Sequence, residues 1–461
     1  MRADLADVTL GPGELSLWPP WGTHEFQALG EPLPGQASDP GPLRRAPRYA
    51  ARRVRFGRRS GGPGPLWMLK RLTALSGRNG RWLSAVSDAT TAVAPAAKPI
   101  DAASAAASRP PHRIKGFDGI RAIAVFGVFL MHKTTAGEHY ALGQYGVWLF
   151  FLLSGFLITS QLTAARERVE AGRENALAEL AAFWWRRSFR ILPPYYALLI
   201  IISTLYAWHA RPIPGLPWHF FYATNWFIEF NTPNGDIGTW AHFWSLAVEE
   251  QFYLLFAPLL ILTPRRWAPA WCVLLIALGV VRRYYMVHVG WPPFSIYADS
   301  LVNIASLALG GLAGMVVRRR PLRGEWIGWL SLSLFLVLPF ILVRLGWAGP
   351  FSPLLALAVG LIAILSVHGN PDGRLTQLLS WKPVSYFGRI SYGFYLYQSY
   401  TPAQLGPKLL HSHSLAAEFL GAAIAFGLSL SLSVASFELF EMPVQRFGRQ
   451  FRIGRVTPEP A

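Results

Sequence analysis

From residue 116 onward the chain alternates long apolar runs with short polar punctuation. Each run is about 18–24 residues, the length that a helix needs to cross a bilayer core of about 30 Å. The pattern predicts ten transmembrane helices, at roughly 117–134, 144–163, 192–209, 242–263, 268–287, 299–317, 325–346, 351–368, 386–403 and 415–438. Several are interrupted by Gly, Pro or a charge, which suits helices packed around a polar cavity better than helices facing lipid all round. Residues 1–112 are of a different kind, rich in Pro, Gly, Ala and Arg without a sustained apolar period, as in GRRSGGPGPLW. Such a segment buries too little apolar surface to offset chain entropy and is expected to be a disordered, low-complexity extension. It opens without the basic and apolar regions of a signal peptide, and Met68 offers an alternative start. The expected organisation is an extension over 1–112, an all-α integral membrane bundle over 113–445 and a basic tail over 446–461.

Composition narrows the class. The 461 residues are 52% hydrophobic with 19 Trp, too apolar for a soluble enzyme unless most of the chain lies in lipid. The formal charge of +18 suggests nucleic acid at first sight, but its placement argues against that partner. With the amino end in the cytoplasm, the inside loops and tail carry eighteen Lys and Arg and the outside loops two. That asymmetry is the orientation signal of a membrane protein and predicts both termini in the cytoplasm. Loop 164–191, with mixed charges and a Trp-Trp pair, is expected to lie along the cytoplasmic surface as a separate amphipathic helix. The single cysteine, Cys272, permits no internal disulfide, and no metal site is expected.

Candidate chemistry sits inside the apolar runs. Arg121 and His132 are eleven residues apart in DGIRAIAVFGVFLMH, three helical turns plus about 20°, so they share a face about 16 Å apart along the axis. Each costs on the order of 3 kcal/mol at the bilayer centre, so a span that keeps both is expected to use them. The other reading is a snorkelling Arg and a His bonded to a neighbouring helix. Asp118 stands three residues before Arg121, on the same face. In HFWSLAVEEQFYLLF, Glu249 shares a stripe with Ser245 and Tyr253 and is expected to face the cavity at the depth of His132. Glu250 is assigned a structural contact. The pair reads equally as carboxylates that bond helices together.

Arg186, Arg187 and Arg190 open the third run, with Arg187 and Arg190 on one helical face. Forked guanidiniums suit phosphate oxygens, so the three are candidates to seat a phosphorylated cytoplasmic donor; they also serve as ordinary topology determinants. Ser154 lacks a nucleophile elbow and reads as part of a small-residue packing face. Asp299 is open between an interfacial cap and a cavity ligand.

Taken together, these segments resemble the acyltransferase-3 family of membrane O-acyltransferases. The matching features are DGIRAIAV with Arg121 and His132, FFLLSGFLIT, RRSFRILPPYY with Arg187 and Arg190, FWSLAVEEQFYLL, Asp299 in YADSL, ISYGFYLY and FELFEMPVQRF. The resemblance implies a ten-helix enzyme of a bacterial inner membrane that moves an acyl group, commonly acetyl from acetyl-CoA, across the bilayer. The acceptor it implies is a hydroxyl of a cell-surface glycan or lipid-linked saccharide. Acyl-CoA would be a co-substrate, with no tightly bound cofactor. The implied catalytic group is His132, with Arg121, Arg187 and Arg190 holding or polarising the donor. Gln398 departs from the family, which often has His there. With no SGNH-type esterase domain after the last run, the chain reads as a stand-alone form. In the expected mechanism His132, oriented by Glu249, deprotonates the acceptor hydroxyl, which attacks the thioester. A multi-span transporter or flippase is the competing class, and a polyprenyl-linked glycosyltransferase a third.

Overall fold

The computed structural model describes residues 113–232, 237–317, 321–346 and 352–450. The expected disordered extension and the tail beyond Gln450 lie outside these residues. Among the described residues every regular element is helical. Nine helices of 17 residues or more carry the bundle. They are α1 (Phe117–Lys133), α2 (Leu142–Glu170), α3 (Ala176–Trp208), α4 (Phe243–Leu262), α5 (Ala268–Val289), α6 (Ser300–Val317), α7 (Glu325–Arg344), α8 (Ser352–Gly369) and α9 (Leu415–Ser436). Seven, α2–α7 and α9, are long and apolar enough to cross a membrane, which makes this an all-helical membrane protein. Large apolar side chains such as Ile200, Leu205, Val281, Leu330 and Phe419 are exposed on the outside, the reverse of a soluble fold.

Helix α2 is the hub, with 67% of its apolar window buried against 22% for the window that contains α5. Small residues let it approach its neighbours. A Cβ at Gly155 would run into the Leu307 carbonyl of α6, and one at Gly310 into the Leu152 carbonyl of α2. Gly146 abuts the Ala124 carbonyl of α1 in the same manner. Backbone-to-backbone packing of this kind replaces the hydrophobic drive that lipid cannot supply.

Two expectations change. The run at 386–403 is not one helix but two short ones, Lys382–Arg389 and Ser391–Gln398, meeting at Ile390. Gly388 in the first packs directly on the Asp118 carbonyl of α1, which fixes the break against the first helix. Nor does 164–191 form a separate surface helix. Helix α2 continues to Glu170, and α3 restarts at Ala176 under an Asn175 cap that accepts from the Leu177 amide at 2.8 Å. Arg168 Nε closes the hairpin on Glu179 Oε1 at 2.5 Å. Pro193 and Pro194 lie inside α3, where each removes one intrahelical hydrogen bond.

The connection between α3 and α4 is pinned by His219, which is fully buried. Its Nε2–H donates to the Pro214 carbonyl at 2.9 Å, Nδ1 accepts from the Thr224 hydroxyl at 2.8 Å, and its ring stacks on Trp240 at 5.3 Å. Burial pushes its pKa down to about 4. An imidazole held neutral in the fold but free to ionise near 6.5 when unfolded stabilises fully above pH 6.5 and loses that contribution as pH falls toward 4. Hydrogen exchange should therefore show the amides of residues 216–224 losing protection between pH 6.5 and 4. Constant protection through that window would mean that the ring can ionise in place.

Candidate active site

Arg121 and His132 occupy the two ends of α1, and a polar group assembles around each. At the Arg121 end, its Nη1 pairs with Asp118 Oδ1 at 3.1 Å across one turn. Arg187 and Arg190 come in from α3 and lie within electrostatic reach of Arg121 and of each other. Arg187 lies over the ring of Tyr253 on α4, its guanidinium carbon 4.0 Å from the centroid, and donates to the Tyr253 hydroxyl. Glu249 Oε1, one turn before Tyr253, accepts from the Ser154 hydroxyl of α2 at 2.7 Å and lies within reach of Arg121 and Arg187. The helix after α9 widens to a π turn over Phe437–Glu441, which brings the buried Glu441 within reach of Arg190. The Arg190 side chain is exposed, and Arg121, Arg187, Ser154 and Glu249 keep partial exposure. Arg190 therefore reaches open space, whereas Arg187 keeps its Nε buried without a hydrogen-bond partner among the described residues.

Arg186 does not join this group. One residue from Arg187, it projects about 100° away, is exposed, and has Glu179 and Arg168 as its charged neighbours.

At the other end, His132 Nδ1 lies 2.9 Å from the Val128 carbonyl and 3.1 Å from the Gln398 amide nitrogen. A carbonyl only accepts, so the Val128 contact puts the ring proton on Nδ1 and the lone pair on Nε2. The orienting role expected of Glu249 is thus met by a main-chain carbonyl. Glu249 itself lies seven residues, about 10 Å, further along α4 than His242, the histidine that shares the neighbourhood of His132. Its depth is that of the arginines, not of His132. Next to His132, the buried Lys133 ammonium donates to the Thr401 carbonyl at 2.6 Å.

Glu250 leaves Oε1 buried without a hydrogen-bond partner among the described residues and lies within electrostatic reach of Arg187 on α3. Asp299 is a cap: Oδ1 accepts from the Val302 amide at 3.0 Å at the start of α6, and Oδ2 binds Arg282 Nε at 3.0 Å. Ser154 does more than pack, since its hydroxyl is the hydrogen-bond partner of Glu249. Tyr253, Glu441, Lys133 and His242 escaped the sequence reading. Tyr253 had one signal, its place on the stripe of Glu249. Glu441 lies in FELFEMPVQRF, but the π turn that aims it breaks the helical register, so periodicity does not place it.

The acyltransferase domain model of the acyltransferase-3 family matches residues 114–438, and the chain belongs to that family. It is similar to the peptidoglycan O-acetyltransferase OatA of Listeria monocytogenes, 29% identical over 318 residues that cover 62% of this chain and 48% of the relative. The O-acetyltransferase OatA of Staphylococcus aureus is 27% identical over 333 residues, 62% of this chain and 50% of the relative. The putative peptidoglycan O-acetyltransferase YrhL of Bacillus subtilis is 29% identical over 320 residues, 62% and 48%. The chain spans about half the length of the curated relatives it matches. No solved structure matches it.

If Glu249 serves the arginines as a counter-charge, Glu249→Gln should lower the melting temperature of the detergent-solubilised protein more than Ser154→Ala. The second change removes one hydrogen bond worth about 1 kcal/mol and leaves the charge in place. Equal shifts would mean that the carboxylate acts only as an acceptor for Ser154.

Proposed function

We propose that residues 113–445 form a membrane O-acyltransferase that takes an acetyl group from cytoplasmic acetyl-CoA and delivers it to a hydroxyl of a cell-surface glycan. One observation carries this reading: α1 holds a guanidinium cluster at one end and an imidazole at the other, about 16 Å apart. That separation is comparable to the extended pantetheine arm of coenzyme A. Phosphates seated at Arg121, Arg187 and Arg190 would place the thioester near His132. The relatives named as peptidoglycan O-acetyltransferases support an acetyl donor and a glycan acceptor.

The loop charges support a chain with both termini in the cytoplasm of a bacterial inner membrane. Ten passes follow when α1, α8 and the broken pair 382–398 are added to the seven long apolar helices. In this orientation the arginines stand on the cytoplasmic side and His132 in the outer half. His132 Nε2 takes the proton of the acceptor hydroxyl as its oxygen attacks the thioester carbon. The carbon–sulfur bond then breaks, and the leaving thiolate recovers the proton. Glu249 and Asp118 hold the guanidiniums in place, whereas Arg186 lies outside the donor seat.

Transfer of label from radioactive acetyl-CoA to glycan in membrane vesicles tests the reading directly. A positioned base contributes about 10²–10⁴-fold, so His132→Ala should lose activity on that scale while inserting normally. Arg187→Ala should raise the KM for acetyl-CoA about tenfold and leave the acceptor KM near wild type. Full activity in the first variant would remove His132 from the chemistry, and equal changes in both KM values would make Arg187 a structural residue.

A further inference from the structure

We infer that His242 is an acceptor-binding residue, holding a second hydrogen-bond donor of the saccharide beside the hydroxyl that reacts at His132. The inference rests on the acetyl-transfer reading above and adds what the acceptor must look like. His242 precedes α4 and is buried. Its Nδ1–H donates to the Thr239 carbonyl at 2.6 Å, so Nε2 carries a lone pair. That nitrogen has no hydrogen-bond partner among the described residues. An orphaned buried acceptor costs stability and persists where something else supplies the donor.

The neighbourhood says what that donor is. His242 lies within electrostatic reach of His132, and the short helix Ser391–Gln398 touches both rings. Gln398 approaches His132 at 3.1 Å, while the Tyr395 hydroxyl donates to the His242 carbonyl at 2.9 Å. One further buried group here lacks a partner among the described residues, the Tyr400 hydroxyl, whose ring is 5.9 Å from that of His242. Two unmet polar atoms beside the base suit a molecule with several O–H groups close together, which is the chemistry of a sugar ring rather than of a simple alcohol. One hydroxyl gives its proton to His132, and its neighbour donates to His242 Nε2.

The test measures acetyl transfer from acetyl-CoA to muramic-acid-containing glycan fragments in proteoliposomes. His242→Phe should raise the KM for glycan about tenfold, the weight of one hydrogen bond, and leave the KM for acetyl-CoA within about twofold. His242→Gln, which keeps a polar group near the position of Nε2, should recover part of the loss. Tyr400→Phe removes a single hydroxyl and should shift the glycan KM in the same direction; it decides the matter if His242→Phe fails to fold. A wild-type glycan KM in the variants, or glycan and acetyl-CoA KM values that rise together, overturns the inference and leaves the acetyl-transfer reading standing. No transfer by the wild-type enzyme overturns both.

Discussion

Three guanidiniums share one interior level of a membrane bundle, and the rest of the architecture answers to that. Arg121, Arg187 and Arg190 repel one another, and no hydrocarbon interior would hold them bare. Asp118, Glu249 and Glu441 arrive from three different parts of the chain to offset them, and Tyr253 covers one guanidinium with its ring. To bring those groups within reach, α1, α2, α3, α4 and the π turn after α9 must converge on the same point.

Convergence of that kind needs helices that touch along their backbones. The glycines of α1, α2 and α6 supply it, and their cost in helix propensity is offset by the contacts they permit. The break at Ile390 belongs to the same economy of space. A continuous helix through 382–403 would carry one face past α1, whereas two short helices present Gly388 to Asp118 at one level and Gln398 to His132 at the other. One broken element therefore registers both polar groups against the first helix.

Much of this was legible in the amino-acid sequence, for physical reasons. Apolar runs of bilayer length announce helices whatever their neighbours do, and α4 through α9 begin and end within about three residues of the periodicity. The alignment of Arg121 with Asp118 follows from helical pitch alone. Partners across helices were harder. Glu249 shares a stripe with Tyr253, which is visible in the chain, but whether that stripe meets His132 or the arginines depends on depth, which periodicity does not set. Gln398 and His242 acquire their roles only from a kink and a cap, both of them local departures from regular helix. Glu441 is aimed by a π turn, and no periodic argument reaches it.

The two prolines of α3 have a mechanical consequence. By removing main-chain donors at residues 193 and 194, they leave the carbonyls of Phe189 and Arg190 without intrahelical partners just past the arginine level. The rod is thus weakest beside its most charged stretch. Bending is therefore easiest at that joint, between the stretch that carries Arg187 and Arg190 and the remainder of the rod.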